Sequence, residues 1–335
     1  MCAQSVYSLL IDEMAAVSKA IQAAVGVIRQ ADAFLIMAGA GIGTDSGLPD
    51  FRGDHGFWRA YPALERLGYR FRDTSNPNLF QLDPDLAWGF FAHRHRLYRE
   101  TTPHDGFQII RRWGRLKREN MFVFTSNVDG HFQKAGFDPE RILECHGSLN
   151  NLQCSLPCSE SGIWDTGTSL NHIIIDPETL LVDSRKLAPR CPHCHRLARP
   201  NVLMFNDRGW RSNIVDEQAG RYYGWLRECS KSPKLNLAII EIWAGTAVAT
   251  VRFESETILA RFQSRPNASV NLIRINPDQE GSSIDNRHGI ICRSLRSLEA
   301  LQLIPAEFEE QNRDDSENEL DHISKCNNMT GHDVL

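Results

Sequence analysis

Ala33-Phe34-Leu35-Ile36-Met37-Ala38 runs directly into Gly39-Ala40-Gly41-Ile42-Gly43-Thr44-Asp45-Ser46-Gly47-Leu48-Pro49-Asp50-Phe51-Arg52-Gly53. Six consecutive apolar residues suit a strand buried on both faces, as in a parallel sheet covered by helices. A glycine-rich turn straight after such a strand is the entry to a nucleotide-binding α/β unit. Small residues at 39–43 let backbone N–H groups approach a pyrophosphate, and a helix start there favours an anion. Thr44 stands where the third glycine of the dehydrogenase fingerprint would fall, and no acid follows a second strand at the distance that holds a ribose. A hydride-transferring dehydrogenase fits poorly, and the glycine turn alone leaves open a dinucleotide site or a plain reversal of the chain.

Outward from that stretch, apolar residues at helical spacing (Ala15, Ile21, Ala24, Val25, Ile28) predict a helix over 11–31. Asp83-Pro84 supplies an N-cap and a first-turn proline for a helix running to about Glu100. Between them, 51–82 has no clean period and reads as a long loop or small helical module. Met121–Thr125, Ile142-Leu143, Asn201–Phe205, Leu237–Trp243 and Val270–Ile275 are further strand candidates. Strands alternating with helices imply an α/β fold, a doubly wound, Rossmann-like parallel sheet. The expected division is a nucleotide-binding domain over 1–50, 101–150 and 200–305, a helical insertion over 51–100, a small zinc-binding module over 151–199 and an acidic tail over 306–335.

The 335 residues carry a net charge of −5, which speaks against a strongly basic nucleic-acid binder. Residues 306–335 hold nine acids against Arg313 and Lys325, so they alone sum to −7 and the rest to +2. That tail reads as a solvated appendage. No apolar run is long enough to span a bilayer and no secretory signal is visible, so the expected location is cytoplasmic, with neither membrane nor direct nucleic-acid partners.

Four of the nine cysteines, Cys154, Cys158, Cys191 and Cys194, form two close pairs. In a reducing compartment that grouping points to a closed, structural zinc site, with His193 and His195 as rival ligands. His146 follows a strand and precedes Gly147, where an imidazole titrating near neutrality can act as a base. Asn127 and Asp129 follow the second strand, where doubly wound sheets bind ligands, although Asn and Asp are also common helix caps. Phe91, Arg94 and Tyr98 share a helix face. Arg94 can there meet a carboxylate bidentately or lie on a solvated surface.

The run Gly39–Gly53 resembles the cofactor loop of the sirtuins, the NAD-dependent protein-lysine deacylases, and the resemblance spans roughly 25–300. Thr125-Ser126-Asn127-Val128-Asp129-Gly130 is similar to the family's Thr-Gln-Asn-x-Asp segment, and Cys145-His146-Gly147-Ser148 to its catalytic His-Gly element. Arg199–Asp207 resembles its peptide-pairing segment, and Gly245-Thr246 and Asn276 its later cofactor contacts. The resemblance implies an NAD site made of Gly39, Ala40, Gly41, Asp50, Phe51, Arg52, Ser126, Asn127, Asp129, Gly245, Thr246 and Asn276. It places the nicotinamide amide on Asp129 and the ribose region on Asn127. An acyl-lysine protein or peptide would lie against Val202, Met204, Phe205, Phe91 and Arg94, the last two resembling a Tyr/Arg pair that holds acidic acyl groups, with Phe91 in place of the Tyr. The implied reaction releases nicotinamide, joins the acyl oxygen to the ribose and uses His146 to deprotonate a ribose hydroxyl. Its products are free lysine and O-acyl-ADP-ribose. An NAD glycohydrolase or ADP-ribosyltransferase and a non-catalytic NAD-sensing module are the alternatives. Departures from the pattern are Ser126 for Gln, the order Gly130-His131-Phe132, Ala247 for a hydroxyl residue, and Asn206-Asp207 for Gly-Glu.

Overall fold

A computed structural model describes residues 3–49, 53–118, 120–156, 158, 162–246, 248–277, 289–292 and 295–304. Asp50, Phe51, Arg52, Ala247 and the acidic tail lie outside these residues. The described strands are β1 Ala33–Ala38, β2 Met121–Thr125, β3 Ile142–Glu144, β4 Gly147–Cys154, β5 Ile163–Asp165, β6 Ala198–Val202, β7 Leu235–Ile242, β8 Ala268–Ile275 and β9 Gly289–Cys292. Six of them form one parallel sheet in the order β3-β2-β1-β7-β8-β9. The chain steps outward from β1 to β3, returns beside β1 as β7 and steps outward again. Strand order therefore reverses between β1 and β7.

The apolar run at 33–38 explains why both faces are covered. Alternate residues of a strand point to opposite sides. Phe34 and Ile36 pack with Ile21, Val25 and Ile28 of helix Ala3–Gln30, with Phe107, Ile110 and Trp113 of helix Asp105–Leu116, and with Leu301 and Ile304. Leu35 and Met37 face the other way, onto Tyr222 and Leu226 of helix Asn213–Lys231 and Ile258 and Phe262 of helix Thr250–Gln263. This is the α/β doubly wound arrangement expected from the sequence. None of the described helices is long and apolar enough to cross a membrane.

Helix Pro84–Glu100 starts where its cap predicts: Asp83 Oδ1 accepts from Leu86 N at 3.0 Å. It joins the short helices Gly53–Ala60, Pro62–Arg66, Phe71–Thr74 and Leu79–Leu82. These pack as a third core against an antiparallel sheet of order β5-β4-β6. Trp88 Nε1 donates to the Ala198 carbonyl at 3.1 Å, tying the helices to β6. Gly89 lets the chain at Leu180 cross the helix, since a Cβ there would lie 1.7 Å from the Leu180 carbonyl oxygen.

Several expectations need correction. The first helix begins at Ala3 rather than 11. The segment 201–205 is not a strand of the parallel series. Its strand is β6, Ala198–Val202, antiparallel to β4 in the small sheet. β4, starting at Gly147, and the four-residue β9 had no sequence counterpart.

Two charges lie inside the parallel sheet. Glu241 and Arg274, both fully buried, are direct register partners on β7 and β8. Arg274 meets Glu241 bidentately, Nε to Oε1 at 2.6 Å and an Nη2 hydrogen to Oε2 at 2.8 Å. Ser255 Oγ also donates to Glu241, and Arg274 reaches Glu256 Oε1 at 2.7 Å. Breaking such a pair from one side strands a buried charge, whereas replacing both partners with apolar groups is often neutral. Arg274→Met should therefore lower unfolding stability by about 3–5 kcal/mol, and adding Glu241→Leu should restore most of it. Denaturant unfolding of the wild type, the two single variants and the double variant checks the expectation; equal losses in Arg274→Met and the double variant would contradict it.

Candidate active site

The parallel register sets one level row across the sheet: Glu144, Thr125, Ala38, Ile242, Ile275 and Cys292 are successive partners. The next backbone groups cross-link one step beyond it. Cys145 N donates to the Thr125 carbonyl, Ser126 N to Ala38, Gly39 N to Ile242, Trp243 N to Ile275 and Asn276 N to Cys292, at 2.8–3.3 Å. The Gly39 turn, the Ser126–Asp129 loop, His146, the Gly245-Thr246 turn and Asn276 therefore all leave the same carboxyl edge. The Gly39 and Gly245 turns flank the point where strand order reverses, the usual ligand crevice of such sheets.

Ala40–Ser46 forms a 3-10 helix closed by Gly47 in the left-handed region. The bare α-carbons of Gly39 and Gly41 answer to a packing demand that the sequence did not reveal. A Cβ on Gly39 would lie 2.3 Å from the Trp243 carbonyl oxygen, and one on Gly41 would lie 1.9 Å from the Trp243 ring. Trp243 itself holds a left-handed φ of 50°. Asn276, 1% exposed, donates from Nδ2 to the Ala244 carbonyl at 3.2 Å and so fixes the turn that carries Gly245 and Thr246.

After β2, Asn127 N donates to Thr125 Oγ1 at 3.1 Å, while Asn127 Oδ1 is buried with no hydrogen-bond partner among the described residues. Asp129 Oδ1 accepts from His131 N at 2.9 Å, at the start of the short helix His131–Lys134, whose N-cap residue is Gly130. His131 donates from Nε2 to the Tyr98 carbonyl at 3.2 Å and is fully buried.

His146 follows β3 and is half-buried. Its Nε2 lies 3.3 Å from Thr250 Oγ1, and its carbonyl accepts from Leu203 N at 2.9 Å. Burial lowers its pKa from the usual 6.5, against an opposing hydrogen bond to the Ser126 backbone. The ring is therefore neutral at pH 7. Two residues earlier, burial and the nearby Asp129 charge push the Glu144 carboxyl up to about 7, against hydrogen bonds from Gln133, Ser148 and Gln218. The sequence reading passed over Glu144; an acid closing an apolar strand just before Cys145-His146 was the available signal.

On the helical side, Arg94 is not on a solvated face. It is 5% exposed, donates from Nε and Nη2 to Tyr98 Oη at 3.1 and 2.8 Å, and lies over the rings of Phe71, Phe90, Phe91 and Tyr98. Phe91 is fully buried and stacks on Phe80. Val202 ends β6 and Met204 is buried, while Phe205 is half-buried with the Arg72 guanidinium 4.7 Å above its ring. Phe205 N donates to the Ser75 carbonyl. Asn206, where the family pattern has glycine, keeps a left-handed φ of 59°, which Asn tolerates better than most residues. A buried bidentate pair, Arg199 to Asp207, closes this segment.

Cys154, Cys158, Cys191 and Cys194 converge with all four sulfurs within 4.8 Å of one another. The Cys154–Cys194 and Cys158–Cys191 separations are 3.6 and 3.8 Å. A tetrahedron of thiolates about 2.3 Å from zinc has edges of about 3.8 Å, so the donors fit that ion. The cluster includes neither His193 nor His195. Burial raises the Cys191 thiol, but the backbone N–H groups of Cys194 and His193 and the Cys194 and Cys158 side chains pull it down to about 7. The purified full chain should carry one zinc, and Cys191→Ser should abolish it and lower the Tm. Elemental analysis checks this; a metal-free protein with four freely titrating thiols would contradict it.

A model of the Sir2 family matches residues 39–216, just over half of the chain. An NAD-dependent protein deacylase of Daphnia pulex is 30% identical over 197 residues, covering 54% of this chain and 66% of that protein. An NAD-dependent protein deacetylase of Saccharolobus solfataricus is 33% identical over 177 residues, covering 52% and 60%. The matched stretch thus spans just under two thirds of these relatives. Among solved structures, a Sir2 homologue–NAD complex has a TM-score of 0.58 at 21% identity, covering 86% of this chain and 94% of that one. At that identity the likeness concerns the fold. The family match, lying across the glycine turn, the His146 loop and the four cysteines, establishes that the chain belongs to the Sir2 family.

Proposed function

We propose that this chain is an NAD-dependent protein-lysine deacylase and that His146 is its general base. The observation carrying this reading is the His146 imidazole at the carboxyl edge of the sheet, level with the glycine turn at the reversal of strand order. The names of the relatives, NAD-dependent protein deacylase and deacetylase, point the same way. The buried Asn127 Oδ1 fits a ligand that brings its own donor, because a buried acceptor left unmade costs about 1–3 kcal/mol.

NAD, when bound, supplies a ribose carbon that accepts the acyl oxygen once the nicotinamide bond breaks. The residues of this chain hold and aim the reactants. In this reading Gly39, Ala40, Gly41, Ser126, Gly245, Thr246 and Asn276 receive the dinucleotide, with Asp50, Phe51 and Arg52 at the mouth of the turn. Asn127 and Asp129 orient its ribose and nicotinamide ends. His146 takes a proton from a ribose hydroxyl through its unprotonated ring nitrogen. The acylated-lysine peptide lies along the Val202–Phe205 segment, where the Leu203 N to His146 carbonyl bond joins the groove to the base.

Incubation with NAD and acyl-lysine peptides should yield free lysine, nicotinamide and O-acyl-ADP-ribose by mass. Nicotinamide release independent of peptide would instead indicate a glycohydrolase. His146→Ala should lower deacylation by about 10²–10⁴-fold while leaving NAD binding in place; unchanged turnover would reject the assignment. Because the imidazole pKa is lowered, activity should be lost through protonation only at a pH below the usual 6.5.

A preference for acidic acyl chains is favoured by Arg94, a buried guanidinium walled by aromatic rings and braced by Tyr98. A charge-assisted bond of roughly 1.5–3 kcal/mol predicts that Arg94→Met lowers kcat/KM for a succinyl-lysine peptide by roughly 10–150-fold, with little change for an acetyl-lysine peptide. Equal losses on both would assign Arg94 a purely structural role.

A further inference from the structure

We infer that Thr250 is a positioning residue for His146, its hydroxyl donating to Nε2 and holding the ring in the tautomer that can accept a proton. This rests on the reading of His146 as the base.

The argument starts from the two ring nitrogens. The hydrogen bond between His146 and the Ser126 backbone acts to raise the imidazole pKa. A bond with that effect favours the protonated ring, so the backbone partner is an acceptor, the carbonyl, and a ring N–H donates to it. Nε2 is the nitrogen beside Thr250 Oγ1, at 3.3 Å. With that N–H given from the ring nitrogen that does not face Thr250, Nε2 presents its lone pair to Thr250 Oγ1. A hydroxyl facing a lone pair is the donor. Which nitrogen of a histidine is protonated is set by the bond that the other one makes, so a Thr250 hydroxyl donating to Nε2 keeps that nitrogen free of a proton.

Position supports the assignment. Thr250 opens helix Thr250–Gln263 and is itself exposed. The hydroxyl thus stands at the solvent side of the base, where a ribose hydroxyl can displace it without disturbing the core. Asn276 and Arg252 both donate to the Ala244 carbonyl, at 3.2 and 3.3 Å, and Arg252 also lies 4.0 Å from the buried Glu241. Both bonds fix Ala244 just ahead of the Gly245-Thr246 turn, and the Arg252 bond ties it to the helix that Thr250 opens. Asp129 follows β2, Glu144 closes β3 with Cys145 just after it, and Arg252 and Glu254 follow Thr250 on its helix. Glu256 and Arg261 lie further along the same helix. None of them faces it as a hydrogen-bond partner, and burial with the Ser126 bond accounts for its shift.

The test is an NMR titration of the His146 ring in the ligand-free full chain, which needs no turnover. A hydroxyl donating to the neutral ring opposes protonation. Thr250→Val should therefore raise the His146 pKa by about half a pH unit, and Thr250→Ser should restore it. The acid limb of kcat/KM should move upward by the same amount in Thr250→Val and return in Thr250→Ser. An unchanged or lowered His146 pKa in Thr250→Val, with the fold intact by circular dichroism, would overturn the inference. Absence of deacylase activity in the wild-type chain would instead defeat the reading of function and leave the titration result standing.

Discussion

The level register of six parallel strands is the constraint on which the rest depends. Because Glu144, Thr125, Ala38, Ile242, Ile275 and Cys292 are partners in one row, every segment that leaves the sheet does so at the same height. A slip in a parallel pair would reverse the faces of a whole strand, and the two packed helical layers exclude that. The glycine turn, the Asn127 loop and His146 thus converge although His146 lies 107 positions after Gly39 in the chain. The cross-links just beyond the row, such as Gly39 N to the Ile242 carbonyl, extend this rigidity into the loops.

Burial then decides what the convergent groups can do. Away from water the imidazole of His146 resists protonation, and the Glu144 carboxyl holds its proton to about pH 7. The same low polarity makes unpaired charge costly, and the molecule meets that cost locally. Arg274 is matched by Glu241, Arg199 by Asp207, and Arg94 rests on Tyr98 within a ring of aromatic faces. The zinc ligands serve a related purpose in a segment whose strands are short. Cys154 ends β4 while Cys191 and Cys194 lie just before β6, so a bound ion would clamp the small sheet.

Much of the fold was legible where one local rule governed. The run 33–38 is apolar because both faces are covered, and Asp83-Pro84 marked its helix start because the cap bond is made within the turn. β4 was hidden, and β6 was shifted and given to the wrong sheet, because their residues are mixed, with Asn201 and Gln153 bonded to each other inside the sheet. β9 has only four residues, too few for a periodic signal. At the site, residue types pointed to His146, Asn127 and the four cysteines, and the structure brings each to its expected edge or cluster. The burial of Arg94, the demand of Trp243 on Gly39 and Gly41, and the partnership of Thr250 with His146 depend on segments distant in the chain. No local spacing encodes them.

The most direct measurement is an experimental structure of the full chain with ADP-ribose bound. A ribose hydroxyl within hydrogen-bond reach of His146 Nε2, with the pyrophosphate over Gly39–Gly43, is the result this account predicts. A ligand bound elsewhere, or a His146 ring turned away from the sugar, would contradict it.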